Sequence, residues 1–253
     1  MTAFPVNLTQ QEIIPYGIDL VNAQEIPAGN SFDHSLCIID SGYDMGHPDL
    51  QSSNVDGYSG VLKWYEDIHS HGTHVTGIIA ALGNNNQGVV GVVPNGKLKI
   101  FVIPVFDSDN NWVWVSDLVD AMEKCVNAGS NIINMSLGTP TYSKTMEDGC
   151  KDIYENEGVL LIASAGNQGN SSYTYPASFD SVMSVAAVKE NLDHSPFSQY
   201  NDQIDIAAPG TAVFSTVPQT KGSYGYMSGT SSKFLILYTL FVLNVISSYM
   251  WCI

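Results

Sequence analysis

Four short segments of the chain combine residue types that can activate a nucleophile or stabilise negative charge. Asp40 ends an apolar run and precedes a Ser-Gly pair, which places its carboxylate to orient another side chain. His71 lies in a His-rich segment, and imidazole serves as a general base because its pKa is near neutrality. The amide of Asn167 can donate to an oxyanion. Ser231 directly follows a Gly-Thr pair and is a candidate nucleophile at a helix N-terminus.

The order of these segments carries more information than any one of them. Taken singly, each is also typical of a turn, a cap or a polar loop. An acid, a His and a Ser in that chain order match one known arrangement of a Ser-His-Asp triad. A different interpretation makes His69, His71 and His74 the ligands of a catalytic metal ion, since His-x-His is a zinc-ligand spacing. Such a metal-dependent hydrolase would leave the other three segments without a role.

The composition argues against two classes of partner. The chain has 253 residues, with 9 Lys plus Arg against 25 Asp plus Glu, and a formal net charge of −16. Nucleic-acid binding needs a basic surface, and an anionic membrane repels an acidic one, so we expect neither partner. Apolar residues make up 44% of the chain, which is enough for a sizeable core.

The elements that must position the four segments follow from the apolar patterns. We predict helices at 71–82, 115–128 and 142–157, and strands at 35–39, 98–105, 132–135, 159–163, 182–188 and 203–207. Strand alternating with helix predicts an α/β fold in three layers, with a mostly parallel central sheet flanked by helices. Sites in such sheets form at the carboxyl ends of strands, which is where the polar and Gly-rich residues stand.

Three motifs in the chain resemble those of the subtilisin-like serine proteases, or subtilases. The Asp motif of that family, apolar-Ile-Asp-Ser/Thr-Gly, is matched at 38–42 and followed by His-Pro-Asp-Leu at 47–50. The His motif, His-Gly-Thr-His-Val-x-Gly, is matched at 71–77, and the Gly-Thr-Ser motif at 229–231. The resemblance extends over about residues 12–231 and implies a serine endopeptidase that cleaves peptide bonds through an acyl-enzyme.

The resemblance also implies a role for each motif residue. Ser231 would be the nucleophile, and His71 the general base and then the acid. Asp40 would hold the imidazole, and Asn167 would donate to the oxyanion. Substrate-binding roles fall to a strand that pairs with the substrate backbone and to the walls of the primary specificity pocket: Ser136, Leu137 and Gly138 for the strand, and Ala163, Ser164, Ala165 and Gly166 for the walls. Because these walls are small and neutral, we expect a preference for apolar or aromatic residues before the scissile bond.

By the same resemblance we expect no cofactor for catalysis but a structural Ca²⁺ ion, with Asp49 and Asn85 as ligands. Oxygen ligands suit Ca²⁺, although a solvated polar loop is the alternative at Asn85. The expected partners are a polypeptide substrate and a propeptide or inhibitor, and we expect a monomer. The complete form is expected to be extracellular, although the first residues of this chain show no signal-peptide pattern.

The match to the family stops after the Ser motif. The family continues there with a helix of small residues, whereas residues 234–253 are uncharged and rich in bulky side chains. We therefore divide the chain into a catalytic domain at 1–233, incomplete at its C-terminus, and an apolar tail at 234–253. The tail is open to three interpretations: an altered end, a substitute core helix, or a membrane anchor. An alternative function follows, that of a truncated, catalytically dead domain that at most binds peptides.

The spacings of the four cysteines match no zinc pattern. The cysteines are either buried free thiols or include one disulfide, and the sequence leaves both alternatives open. Cys125 and Cys150 stand on two successive predicted helices and are the pair that we single out for a disulfide.

Overall fold

A computed structural model describes residues 4–5, 12–25, 34–60, 62–112 and 115–230, of which 4–5 are described by their backbone alone. Ser231 and the tail at 234–253 lie outside the described residues, and so do the predictions made for them. The strands are β1 (Phe4–Pro5), β2 (Ser35–Asp40), β3 (Val55–Gly57), β4 (Lys99–Pro104), β5 (Ile132–Met135), β6 (Leu160–Ser164), β7 (Met183–Val188), β8 (Ile206–Pro209), β9 (Val213–Thr216) and β10 (Tyr224–Met227). The α-helices are α1 (Tyr16–Leu20), α2 (His71–Ala80), α3 (Val115–Asn127) and α4 (Lys144–Glu155), and two 3₁₀ turns lie at Ala23–Glu25 and Gln219–Lys221.

Seven strands form one parallel sheet in the order β3-β4-β2-β5-β6-β7-β8. Its central strands are almost wholly buried, as expected when helices cover both faces of a parallel sheet. A smaller antiparallel sheet has the order β1-β10-β9. The predicted three-layer α/β architecture is therefore confirmed.

The helices pack as their apolar patterns require. Only His71 among the ten residues of α2 is not buried, and α2 packs between β2 and β9. The amphipathic helices α3 and α4 pack against each other and against β2 and β6. The Ser143 hydroxyl caps α4 by accepting a hydrogen bond from Met146 N at 3.3 Å. In the described part of the chain, every helix falls short of the length and apolarity required to cross a lipid bilayer.

The cysteine pairing differs from the one that we singled out. Cys37 in β2 is bonded to Cys125 in α3, with their Cα atoms 5.7 Å apart. Cys150 is a buried thiol in α4, with its Sγ 3.9 Å from Met122 Sδ. The pairing of Cys125 with Cys150 was wrong because α3 turns Met122 toward α4 and Cys125 toward the sheet. Burial raises the pKa of the Cys150 thiol to about 12, so this thiol stays protonated.

Candidate active site

The carboxyl end of β2 and the first residue of α2 bring Asp40 and His71 together. His71 Nδ1 lies 2.7 Å from Asp40 Oδ1. The Asp40 side chain is 1% exposed and the imidazole is 22% exposed, so the acid is buried behind a ring that reaches the surface. A carboxylate accepts hydrogen bonds, so Nδ1 carries the proton and Nε2 is the basic nitrogen. The pair thus has the tautomer that a general base requires.

The charges around His71 favour its protonated form. Burial lowers the pKa of His71, but the charge and hydrogen bond of Asp40 raise it, and a smaller contribution from Asp67 adds to the rise. The net effect is a pKa above the ordinary value for His. One turn further into α2, burial and the charge of His71 lower the pKa of His74 to about 3. His74 is therefore neutral near pH 7, and His71 is the member of the pair that can take up a proton.

The two segments that carry Asp40 and His71 meet at glycines. A Cβ atom on Gly72 would lie 2.2 Å from the backbone oxygen of Gly42. Gly42 itself has φ +130°, in the region that favours glycine. This close approach explains why a Gly follows His71 directly and another follows Asp40 by two residues.

Asn167 is oriented by Thr230, the residue before Ser231. Thr230 donates its backbone N–H and its hydroxyl to Asn167 Oδ1, at 2.7 and 3.0 Å. Two donors on one side of the amide identify the atom facing them as oxygen, which leaves Nδ2 as the donor. Thr230 is fully buried, and Asn167 is exposed.

The residues predicted to bind substrate lie at the same edge of the sheet. Ser136, Leu137 and Gly138 directly follow β5, Ala163 and Ser164 end β6, and Ala165 and Gly166 follow it. Since β5 and β6 are adjacent parallel strands, the two segments leave the sheet side by side. Asn134 Nδ2 donates to Ser136 Oγ at 3.1 Å, which fixes the first residue after β5.

Sequence reasoning missed Thr174, which lies between these two segments. A Cβ atom on Gly138 would lie 2.6 Å from Thr174 Cγ2, and one on Gly166 would lie 2.6 Å from Thr174 Oγ1. Thr174 is 5% exposed, and the next residue, Tyr175, exchanges backbone hydrogen bonds with Thr139 at 2.8 and 2.9 Å. The Tyr-Pro-Ala sequence that follows Thr174 is the signal that could have drawn attention to it.

The two predicted calcium ligands are also brought together. Asn85 Nδ2 donates to Asp49 Oδ1 at 2.6 Å, and Val89 N donates to Asp49 Oδ2 at 2.8 Å. The carboxylate of Glu12 accepts a hydrogen bond from Asn85 N at 3.2 Å, so acidic oxygens lie on both sides of Asn85. Asn85 Oδ1 itself accepts from Gln87 N at 3.0 Å, so a hard cation beside Asp49 would require the amide to turn over and give up this bond. Burial raises the pKa of Asp49 to about 6, against the lowering effect of its hydrogen bonds.

The three His residues of the metal interpretation engage different partners. His71 Nδ1 contacts Asp40, His69 Nε2 lies 2.7 Å from the Asp107 carbonyl, and His74 Nε2 lies 3.1 Å from the Val213 carbonyl. Over the ranges that the structure covers, no three His, Cys, Asp or Glu side chains converge on a possible metal position. The geometry gives the metal-dependent hydrolase no support.

The fold and the site define a class: three-layer α/β proteins with an acid–His pair and an amide donor at the carboxyl edge of a parallel sheet. Comparison with known proteins narrows that class. The model of the subtilase family matches residues 33–232, and the chain belongs to this family. The resemblance inferred from the three motifs is thereby confirmed.

Several relatives show the extent of the similarity. Subtilisin E of Bacillus subtilis (strain 168) is 37% identical over 231 residues, which cover 86% of this chain and 57% of its own. The thermophilic serine proteinase of Bacillus sp. (strain AK1) is 36% identical over 211 residues, which cover 83% of this chain and 51% of its own. The crystal structure of the psychrophilic subtilisin-like protease Apa1 from the Antarctic psychrotroph Pseudoalteromonas sp. AS-11 superposes with a TM-score of 0.77 at 49% identity, covering 81% of this chain and 48% of that one. The chain spans 51% to 60% of the length of the first curated relatives.

Proposed function

We propose that this chain carries the machinery of a serine endopeptidase, with Asp40, His71 and Ser231 as its triad. The observation that supports this most directly is the 2.7 Å contact between His71 Nδ1 and Asp40 Oδ1, which leaves Nε2 as the base. In the proposed reaction Ser231 Oγ attacks the peptide carbonyl carbon, and its proton passes to His71 Nε2. The same proton then goes to the leaving amine, and an acyl-enzyme remains. Water, activated by His71, hydrolyses the ester and restores Ser231.

Asn167 supplies the oxyanion donor in this proposal. Its Nδ2 would donate to the negative oxygen of the tetrahedral intermediate while Thr230 holds its Oδ1. Removing one such donor costs roughly 3–4 kcal/mol of transition-state stabilisation, a magnitude measured in a subtilisin.

The substrate is a polypeptide bound along residues 136–138 as an added strand, with its side chain before the scissile bond between the segments 136–138 and 163–166. We propose an apolar preference, because the wall residues Ala163 and Ala165 are neutral and 0% and 2% exposed. Thr174 lies between the two segments, so its methyl group would limit how large an aromatic ring enters.

The experiment that tests the function is labelling of the folded protein with a fluorophosphonate probe, followed by peptide mapping. The probe phosphonylates a serine only when a base activates it. We expect label on Ser231, and none on a Ser231→Ala variant. Folded wild-type protein that takes no label would overturn the proposal.

The match to the family model ends at residue 232, and this observation favours the alternative function as a second candidate. A catalytically dead domain would bind a peptide along residues 136–138 without turning it over. Fluorescence anisotropy with a labelled peptide separates the two functions: binding without probe labelling indicates the dead domain.

We further propose that the complete protein is secreted. The Cys37–Cys125 disulfide supports this, because disulfides form and persist in oxidising compartments. Recovery of the protein with Cys37 and Cys125 as thiols from its native source would contradict secretion. A propeptide or inhibitor as partner, and a monomeric state, remain predictions.

A further inference from the structure

Asp67, four residues before His71, accepts five hydrogen bonds from the segments that carry the acid–base pair. Asp67 is buried, with 6% of its surface exposed. The five bonds run from Ser41 Oγ (2.9 Å), His69 N (3.0 Å) and Ser70 N (2.9 Å) to Oδ1, and from Thr73 N (2.8 Å) and Thr73 Oγ1 (2.7 Å) to Oδ2. Both carboxylate oxygens are therefore used.

The first consequence concerns the start of α2. The first N–H groups of a helix have no partner within it and need acceptors. Ser70 precedes His71 in a left-handed conformation with φ 75°, and its side chain makes no capping bond. Asp67 takes that place by accepting from Thr73 N, and its negative charge lies at the positive end of the helix dipole.

The second consequence concerns the distance between the two catalytic segments. Ser41 follows Asp40, and Gly72 follows His71. The Ser41 hydroxyl donates to Asp67 Oδ1 at 2.9 Å and accepts from Gly72 N at 2.8 Å. Two consecutive hydrogen bonds thus connect Asp67 to Ser41 and Ser41 to Gly72. They hold Ser41, which follows the acid, against Gly72, which follows the base.

We propose that Asp67 is a positioning residue for the acid–base pair: it holds the ring of His71 against Asp40 and stabilises the imidazolium that forms during turnover. The proposal rests on the proposed function. Among the described residues, Asp40 in β2 and Asp67 in the loop before α2 are the charged side chains that raise the pKa of His71, whereas His74 in α2 is neutral. Asp67 is therefore a second negative charge close to the ring, beside Asp40.

The test is the Asp67→Asn variant, which keeps the size of the side chain but removes its charge and turns an N–H₂ group toward N–H donors. We expect kcat to fall by about tenfold to a hundredfold, because displaced catalytic groups lose rate at this scale, while KM changes by less than about twofold. Loss of the negative charge lowers the pKa of His71, so the acid limb of the kcat/KM profile moves to lower pH.

Two further variants separate positioning from general damage. Ser41→Ala breaks the bond chain without changing charge, so kcat should fall while the acid limb stays in place. Asp152→Asn alters an exposed carboxylate on α4, a helix that packs on α3 and β6, and should change neither kcat nor the acid limb. If Asp67→Asn does not fold, Ser41→Ala decides, and full activity in that variant overturns the proposal.

A readout independent of turnover keeps this inference distinct from the proposed function. The pKa of His71 can be measured by NMR titration of its ring protons in the Ser231→Ala protein, with and without Asp67→Asn. A lower pKa in the double variant supports the role of Asp67 even if the wild type takes no fluorophosphonate label. An unchanged pKa and unchanged kcat in folded Asp67→Asn protein overturn it.

Discussion

Thr230 holds Asn167, the proposed oxyanion donor, by two hydrogen bonds to a single amide oxygen, at 2.7 and 3.0 Å. The relationship connects the residue before the proposed nucleophile with the residue that would stabilise the charge arising from its attack. The orientation of Asn167 is thus set by the residue that precedes Ser231 in the sequence.

This relationship predicts unequal effects of two substitutions. Asn167→Ala should lower kcat by about 100- to 1,000-fold, because the oxyanion loses its side-chain donor. Thr230→Val keeps the backbone N–H and removes only the hydroxyl, so kcat should fall by about tenfold, in line with one neutral hydrogen bond. Steady-state kinetics with one peptide substrate checks both. Thr230→Ser is the matched control and should stay near the wild-type rate.

The contact between His71 and Asp40 predicts a severe effect of Asp40→Asn. The amide can donate to Nδ1, which would move the imidazole proton to Nε2 and abolish the base. We expect kcat to fall by about 10⁴-fold, as for the equivalent change in other triads. Circular dichroism should show the fold retained, and a loss of less than tenfold in a folded variant would contradict the assigned role of Asp40.

His74 predicts a pH dependence of stability. Its pKa is lowered to about 3 in the folded protein and is near 6.5 when the chain unfolds, so the unfolded state binds the proton more readily between these values. Its contribution to the free energy of unfolding is present above pH 6.5 and is lost as the pH falls toward 3, by about 1.4 kcal/mol per unit. His71 has a raised pKa and acts in the opposite sense: its contribution is present below pH 6.5 and is lost as the pH rises through its folded pKa.

Urea unfolding at several pH values measures how the free energy of unfolding changes with pH. His74→Leu should lower stability above pH 6.5, because the bond to the Val213 carbonyl is lost, but should flatten the decline below pH 6.5. An identical slope in both proteins would show that the buried ring does not govern it.

Thr174 predicts a change in specificity. Thr174→Gly removes the side chain between Gly138 and Gly166, so larger side chains should be accepted before the scissile bond. One or two carbon atoms of pocket space are worth about 10- to 200-fold in discrimination. The ratio of kcat/KM for Phe over Ala substrates should therefore rise at least about tenfold. Thr174→Ser loses only the methyl group, so its ratio should fall between those of the wild type and Thr174→Gly. An unchanged ratio in Thr174→Gly would place Thr174 outside the pocket.

We propose that Asp49 and Asn85 bind a structural Ca²⁺ ion after rotation of the Asn85 amide. Millimolar CaCl₂ should then raise Tm relative to the same protein in EGTA, since a ligand that binds only the folded state stabilises it. Asn85→Ala removes the amide oxygen and should lose most of that rise. Equal Tm values with and without calcium would favour the hydrogen-bonded arrangement as a complete structure in itself.

The sequence was most informative where burial is continuous. The strand predicted at 132–135 has the observed bounds of β5, and the other predicted strands of the sheet agree within a few residues, because uninterrupted apolar runs are typical of strands covered on both faces. The strand predicted at 203–207 lies instead at Ile206–Pro209. The strand β3 was not predicted because Val55–Gly57 is short and partly exposed.

Features held by distant partners could not be read from local patterns. The strand β9 is rich in hydroxyl side chains, and its burial depends on α2: Thr216 Oγ1 donates to the Thr73 carbonyl and Ser215 Oγ to the His74 carbonyl, both at 2.9 Å. Thr174 and Asp67 likewise gain the roles proposed for them from residues that the fold brings to them. The candidates Asp40, His71, Asn167 and Ser231 could be proposed because their motifs are local, whereas the disulfide partner of Cys125 required the packing of α3 on β2.

The contacts of α2 also bear on the order in which the molecule matures. The bond between His71 and Asp40 joins residues 31 positions apart, whereas the bonds from Ser215 and Thr216 to α2 join residues 141 and 143 positions apart. Because translation proceeds from the N-terminus, the contact between His71 and Asp40 can form early. The strand β9 can pack on α2 only after β9 has left the ribosome. Ser231 follows β9 by fifteen residues. The proposed base His71 is thus enclosed at nearly the same stage of synthesis as the proposed nucleophile Ser231 appears. Under the proposed function, a nascent chain that lacks Ser231 could not cut its own unfinished segments.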